Sequence, residues 1–192
     1  MKPELLEDFL HFFDKDAFAD YPDWSGCYCA FYETAGDSWD VGPDSVDSAV
    51  VHRREKADRI RTGKSTGLLA YADGKVVGWC NAQPRSSFSN MRRYSVVVDD
   101  PSESVGSIMC FLVAHDYRGK GVGASLLNTA CDVFRSEGLR VAEGYPTTAA
   151  RKPNSETPWA EANYKGPLSL YLKNGFAIHK QLERFAIVRR KL

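Results

Sequence analysis

Apolar residues occupy almost every position over 107–114, with Gly106 before the run and His115 and Asp116 after it. That is the pattern of a strand buried on both faces. Beyond Ala114 the period changes: Val122, Leu126, Leu127, Ala130, Val133 and Phe134 recur at helical spacing. The spacing predicts a helix over 121–137 with one face on a sheet, and Gly138 supplies a left-handed stop.

The remaining elements follow from the same two periods. A helix is predicted over 3–13, with Leu5, Leu6, Phe9, Leu10 and Phe13 as its apolar face. A second helix is predicted over 45–62, with Val46, Val50, Ala57 and Ile60 inward and His52, Arg53, Arg54, Lys56, Arg59 and Arg61 as a solvated basic face. Strands over 67–72 and 76–82 flank Asp73-Gly74, a strong hairpin signal. A short strand over 139–143, a helix opening at Pro167 and ending at Asn174-Gly175, and an alternating pair over 176–180 and 184–190 complete the chain. The segment 27–32 reads as a further strand at a sheet edge. The aromatics Phe18, Tyr21, Trp24, Tyr28, Phe31 and Tyr32 fit a substrate cavity and a closed core equally well.

Three stretches lack a period. Residues 33–47 are rich in Gly, Asp, Ser and Pro and read as an exposed connection. The connection over 84–103 carries Arg92, Arg93 and Tyr94, with a short strand expected at 96–98. The irregular stretch 144–166 has Tyr145, Trp159 and Tyr164 as its large aromatics. Long ordered loops tend to carry function, so 144–166 is expected to border a substrate.

Composition narrows the field. At 192 residues a single domain over 1–192 is expected, long enough to bury a core. Its 25 basic and 25 acidic residues cancel, which argues against nucleic acid and membrane surfaces as partners. No apolar run is long enough to span a bilayer, and Met1 leads into Glu4, Glu7 and Asp8, so a cytoplasmic protein is expected. The five cysteines Cys27, Cys29, Cys80, Cys110 and Cys131 are odd in number and mostly embedded in apolar pattern, as buried thiols would be. Cys27-x-Cys29 has the wrong spacing for a metal pair, so no metal is expected.

The chemistry concentrates at Arg118-Gly119-Lys120-Gly121-Val122-Gly123. Three glycines in five residues let a ligand approach the backbone, and the following helix aims free N–H groups at the loop. Two basic side chains share the turn, and the combination suits a polyanion such as a pyrophosphate. No Ser or Thr follows Lys120, so this is not a Walker loop; Gly63-Lys64-Ser65 has Asp58 where that motif's first glycine belongs. Gly119-x-Gly121 followed by Ala124 satisfies the looser dinucleotide fingerprint, which leaves that reading open.

Arg118-x-x-Gly121-x-Gly123 after Phe111-Leu112-Val113 resembles the acyl-CoA binding motif of the GNAT acetyltransferase superfamily. A second landmark, Leu170-Tyr171-Leu172-Lys173-Asn174-Gly175-Phe176, resembles that family's last helix and its Gly-Phe. The resemblance implies the α/β (α+β) GNAT N-acyltransferase fold, a mixed, mostly antiparallel sheet flanked by helices. It implies acetyl-CoA as cosubstrate and a small-molecule or peptide amine as acceptor, with direct attack through a tetrahedral intermediate; homodimers are common among such proteins. The backbone from Arg118 through Gly119, Lys120, Gly121, Val122 and Gly123 to Ala124 would hold the diphosphate. Backbone groups of Phe111, Leu112 and Val113 would align the pantetheine and polarise the thioester. Tyr171 matches the family's general acid, and Glu143 is the first candidate base, His115 the second. The family's usual Asn seven residues before the tyrosine is replaced by Tyr164, with Asn163 beside it. A domain that holds acyl-CoA without turnover is the alternative.

Overall fold

The computed structural model describes residues 1–34, 46–93, 103–148 and 163–192. Its centre is a six-stranded sheet built from β1 (Leu68–Ala72), β2 (Lys75–Pro84), β3 (Val105–Val113), β4 (Val141–Gly144), β5 (Ala177–Gln181) and β6 (Ala186–Lys191), in the order β1-β2-β3-β4-β6-β5. The β3–β4 pair is parallel and every other pair antiparallel. Among the described residues four α-helices flank it: α1 (Leu6–His11), α2 (Val46–Arg61), α3 (Val122–Ser136) and α4 (Leu168–Lys173). Among the described residues no helix is long and apolar enough to cross a membrane.

Two irregularities at one point shape the middle of the sheet. Strand β4 pairs with β3 only from Val105↔Val141 to Ile108↔Gly144, so β3 continues past it. At the same level β3 is bulged against β2: Ala82 pairs with Ile108 and Asn81 with Cys110, leaving Met109 as the extra residue. The bulge resets the alternation of side chains. Ile108 and Phe111 pack with Leu126, Leu127 and Phe134 of α3. Cys110 and Leu112 join Leu6, Phe9 and Leu10 of α1 on the other face, and Met109 packs with Tyr32, Tyr145 and Ile187.

The segment 27–32 forms turns and no strand. Tyr28 and Cys29 have φ of +41° and +52°, incompatible with an extended chain, and β1 is the outer strand on that side. The α2 face is corrected as well. Lys56 and His52 are buried, whereas Val50 is 62% exposed. The reason is a polar core that hydropathy cannot register. Lys56 Nζ lies 2.5 Å from Glu33 Oε1, which also accepts hydrogen bonds from Asn81 (2.9 Å) and Gln83 (2.7 Å). Glu33 is therefore a buried anchor rather than part of an exposed connection. Positions 35–45, Tyr94, the strand expected at 96–98 and Trp159 lie outside the described residues.

Removing one partner of a fully buried ion pair strands the other charge. Lys56→Met is expected to cost about 3–5 kcal/mol in urea unfolding. Adding Glu33→Gln should recover part of that loss, because no uncompensated charge then remains buried.

Candidate active site

A cavity of about 410 Å³ opens where β3 outruns β4. One wall is Phe111, Leu112 and Val113; the floor is Tyr117, Arg118, Gly119, Gly121 and the first turn of α3, Val122, Gly123 and Ala124; the far wall is Asn163, Gly166, Pro167, Ser169, Leu170 and Lys173. Of the cofactor-binding residues expected from sequence, all line this cavity except Lys120, whose ammonium lies 5.6 Å above the Tyr117 ring. The loop conformation demands glycine. Gly119 and Gly121 have φ of +73° and +88°, and Gly121 caps α3 without a side-chain bond to the helix N–H groups.

The sequence pattern did not single out Lys173, Ser169 or Tyr117. Lys173 stands three residues after Leu170, one turn along the same face of α4, so helical spacing carried the signal. Asn163 lines the cavity, whereas Tyr164, seven residues before Tyr171, does not.

Both polar ends of the β3 edge are engaged by the chain itself. The Phe111 N–H donates to the Tyr164 carbonyl at 2.6 Å, and the Val113 carbonyl accepts from Arg118 Nε at 2.9 Å. Arg118 also forks onto Asp20, at 2.5 and 3.0 Å, tying the loop to the N-terminal segment. Its hydrogen bonds hold the Asp20 carboxyl below its ordinary value. The Arg118 side chain is thus committed to protein partners, and the backbone N–H groups form the anion-facing part of the loop.

Tyr171 is fully buried and is not part of the cavity lining. Its ring packs edge-on to Phe111 and Phe176, and its hydroxyl donates to the Lys165 carbonyl at 2.7 Å. Burial, with Cys80, Cys110 and Cys131 nearby, pushes the phenol well above its usual range. Glycine is required next to it: a Cβ on Gly144 would come within 2.3 Å of the Tyr171 ring.

Glu143 is fully buried away from the cavity lining. Its Oε1 accepts from the Tyr145 hydroxyl at 2.6 Å and lies 3.5 Å from Arg85; its Oε2 accepts from Arg189 Nε at 2.6 Å. This geometry anchors β4 to β6 and to the turn after β2. His115 is exposed and lies 3.3 Å from Asp20. The five cysteines are free thiols, and burial raises Cys27 to about 12.

A mixed sheet that splits between two parallel strands, with a glycine loop and helix N-terminus at the split, defines an acyltransferase-type fold. The family model for GNAT acetyltransferases matches residues 5–152, and the chain belongs to that family. Among solved structures it is similar to a GNAT-family acetyltransferase from Streptococcus pneumoniae, at 15% identity over 100% of this chain and 96% of that one, TM-score 0.54. It is also similar to a ribosomal-protein-alanine N-acetyltransferase from Brucella melitensis, at 16% identity over 100% and 97% of the two chains, TM-score 0.53. A GNAT-family acetyltransferase from Listeria monocytogenes matches at 12% identity over 78% of each chain, TM-score 0.51. No curated protein matches significantly.

Because the Asp20 carboxyl titrates lower in the folded state than in the unfolded chain, its stabilising effect is complete above about pH 4 and lost as pH falls through the depressed value. Urea midpoints of wild type and Asp20→Asn should therefore differ at pH 7 and converge in acid.

Proposed function

We propose that the protein transfers an acetyl group from acetyl-CoA to a primary amine of a small molecule or peptide, in the cytoplasm, by direct attack. The observation that carries this reading is the cavity joining the α3 N-terminus to the free length of β3. An anion is stabilised at one end, where N–H groups without intrahelical partners converge under the positive pole of α3. At the other end an extended arm can lie along the β3 edge as an added strand. A diphosphate joined to a long thioester-bearing arm has those two parts in that order. Lys173 adds a positive charge on the opposite wall.

The reaction needs the amine nitrogen to bond to the thioester carbon while the carbon–sulfur bond breaks and the departing thiolate gains a proton. Tyr171 is proposed as the proton donor, since its raised pKa keeps the hydroxyl protonated across the physiological range. To reach sulfur the hydroxyl must exchange its bond to the Lys165 carbonyl, and to polarise the thioester the Phe111 N–H must exchange its bond to Tyr164. Those two occupied groups favour a second reading, a domain that holds acyl-CoA without turnover.

Thiol release from acetyl-CoA over a panel of amines separates the two readings. The enzyme predicts turnover, and Tyr171→Phe lowering kcat by roughly a hundredfold or more. Acetyl-CoA binding without turnover on any amine, unchanged in Tyr171→Phe, would leave the holding domain. In either case Gly121→Val should weaken acetyl-CoA binding at least about tenfold by calorimetry, because the left-handed backbone costs an L residue about 1–2 kcal/mol. Unchanged affinity would move the diphosphate site away from the loop.

A further inference from the structure

The turn over 163–166 presents groups to both faces of the sheet. Asn163 and Gly166 line the cavity beside α3, and the Gly166 N–H donates to the Asn163 carbonyl at 2.8 Å. The side chain between them goes elsewhere. Lys165 Nζ sits 5.3 Å from the ring centroid of Tyr32 and 5.6 Å from those of Tyr164 and Phe185. These rings belong to the cluster that includes Met109 and Ile187, on the face opposite Ile108 and Val188. The Lys165 main chain is meanwhile fixed beside the split: the carbonyl before it accepts the Phe111 N–H, and its own accepts the Tyr171 hydroxyl.

This ammonium is held by ring faces, and among the described residues no carboxylate pairs with it. Glu143, buried behind Tyr145, is already satisfied by Arg189, Arg85 and the Tyr145 hydroxyl. Among the described residues the titratable groups facing Lys165 are the Tyr32 and Tyr164 phenols, whose oxygens lie 3.1 Å apart, and the Cys110 thiol on β3; Phe185 adds no charge.

We propose that Lys165 is the base that removes the proton from the acceptor's ammonium group, which reaches the split from the face opposite the cavity. The proposal rests on the acyl-transfer reading above. The acceptor's R–NH₃⁺ gives a proton to neutral Nζ, and the freed lone pair bonds to the thioester carbon. The carbon–sulfur bond breaks and sulfur leaves with the electron pair, taking the proton of the Tyr171 hydroxyl; the second proton that the attacking nitrogen sheds on becoming an amide restores that hydroxyl, and Lys165 returns its own proton to water between turnovers. Burial lowers the Lys165 pKa to about 8, against a smaller opposing influence of Cys110. About a quarter of the amine is then neutral at pH 7.5, where an ordinary lysine would be neutral in about one molecule per thousand. Lysines desolvated in this way are suited to act as bases near neutral pH.

The test has two readouts. A pulse of N-hydroxysuccinimidyl acetate across pH 6–11, read by mass spectrometry, reports the titration of Lys165 without any need for turnover; a labelling midpoint near 8 is expected, and one near an ordinary lysine's overturns the proposal. Acetyl-CoA turnover over the amine panel gives the second. In wild type kcat/KM should rise with pH through about 8, while Lys165→Met and Lys165→Arg should both lower it at pH 7.5 by roughly a hundredfold or more and lose that limb, with acetyl-CoA affinity unchanged. Arginine keeps the charge and most of the packing but does not deprotonate, so a rate rescued by Lys165→Arg overturns the proposal, as does a limb that survives in Lys165→Met. Acetylation of Lys165 itself by acetyl-CoA makes it an acceptor and also overturns the proposal. Absence of thiol release with every amine, by contrast, defeats the acyl-transfer reading itself and this role along with it, whatever the labelling midpoint.

Discussion

The parting of β3 from β4 is the constraint from which the site follows. Four residue pairs join the two strands, and the ladder stops at Ile108 and Gly144. It stops there for two reasons. The Tyr171 ring sits so close to Gly144 that no side chain would fit at that position, and the bulge at Met109 turns β3 at the same level. A strand whose edge has lost its neighbour carries unpaired donors and acceptors, and a long ligand can satisfy them in a neighbour's place. The protein partly fills the gap itself, with the Tyr164 carbonyl at Phe111 and the Arg118 guanidinium at Val113.

The N-terminal third is joined to the rest of the molecule by charge as well as by apolar packing. Asp20 is bidentate with Arg118, and Glu33 collects donors from Lys56, Asn81 and Gln83 inside the core. Buried polar networks hold their geometry strictly, because any member left unpaired carries the full cost of its desolvation. One consequence is that the glycine loop and the helices over the opposite face are linked through a small number of specific bonds. A second is that Tyr32, carried on the chain just ahead of Glu33, is held against Tyr164 and Lys165.

The turn over 163–166 connects the parts of the site. Its neighbours in space are β3 through Phe111, α4 through Tyr171, the cavity through Asn163 and Gly166, and the aromatic cluster through Lys165. Gly166 fits because its φ is +83° and a Cβ there would come within 3.0 Å of the Tyr171 ring. A shift of this turn would alter donor edge, phenol and ammonium together.

Periodicity and glycine placement were enough to locate β3, the loop and α3, the hairpin at Asp73-Gly74 and α4, since each is a local pattern of apolar spacing closed by a turn residue. The loop's conformational need was legible for the same reason: left-handed backbone at Gly119 and Gly121 is a property of a few consecutive residues. Partnership between distant residues was not legible. Lys56 looked like one more cation on a solvated face until folding set it beside Glu33, and Glu143 looked like a strand-end carboxylate until Arg189 and Arg85 converged on it. The extended reading of 27–32 failed because positive φ at Tyr28 and Cys29 is imposed by packing against the helices, not by intrinsic preference. Lys165 belongs with these: an ammonium ringed by Tyr32, Tyr164 and Phe185 gathers three separate parts of the chain, and only tertiary structure can desolvate a charge by bringing such parts together.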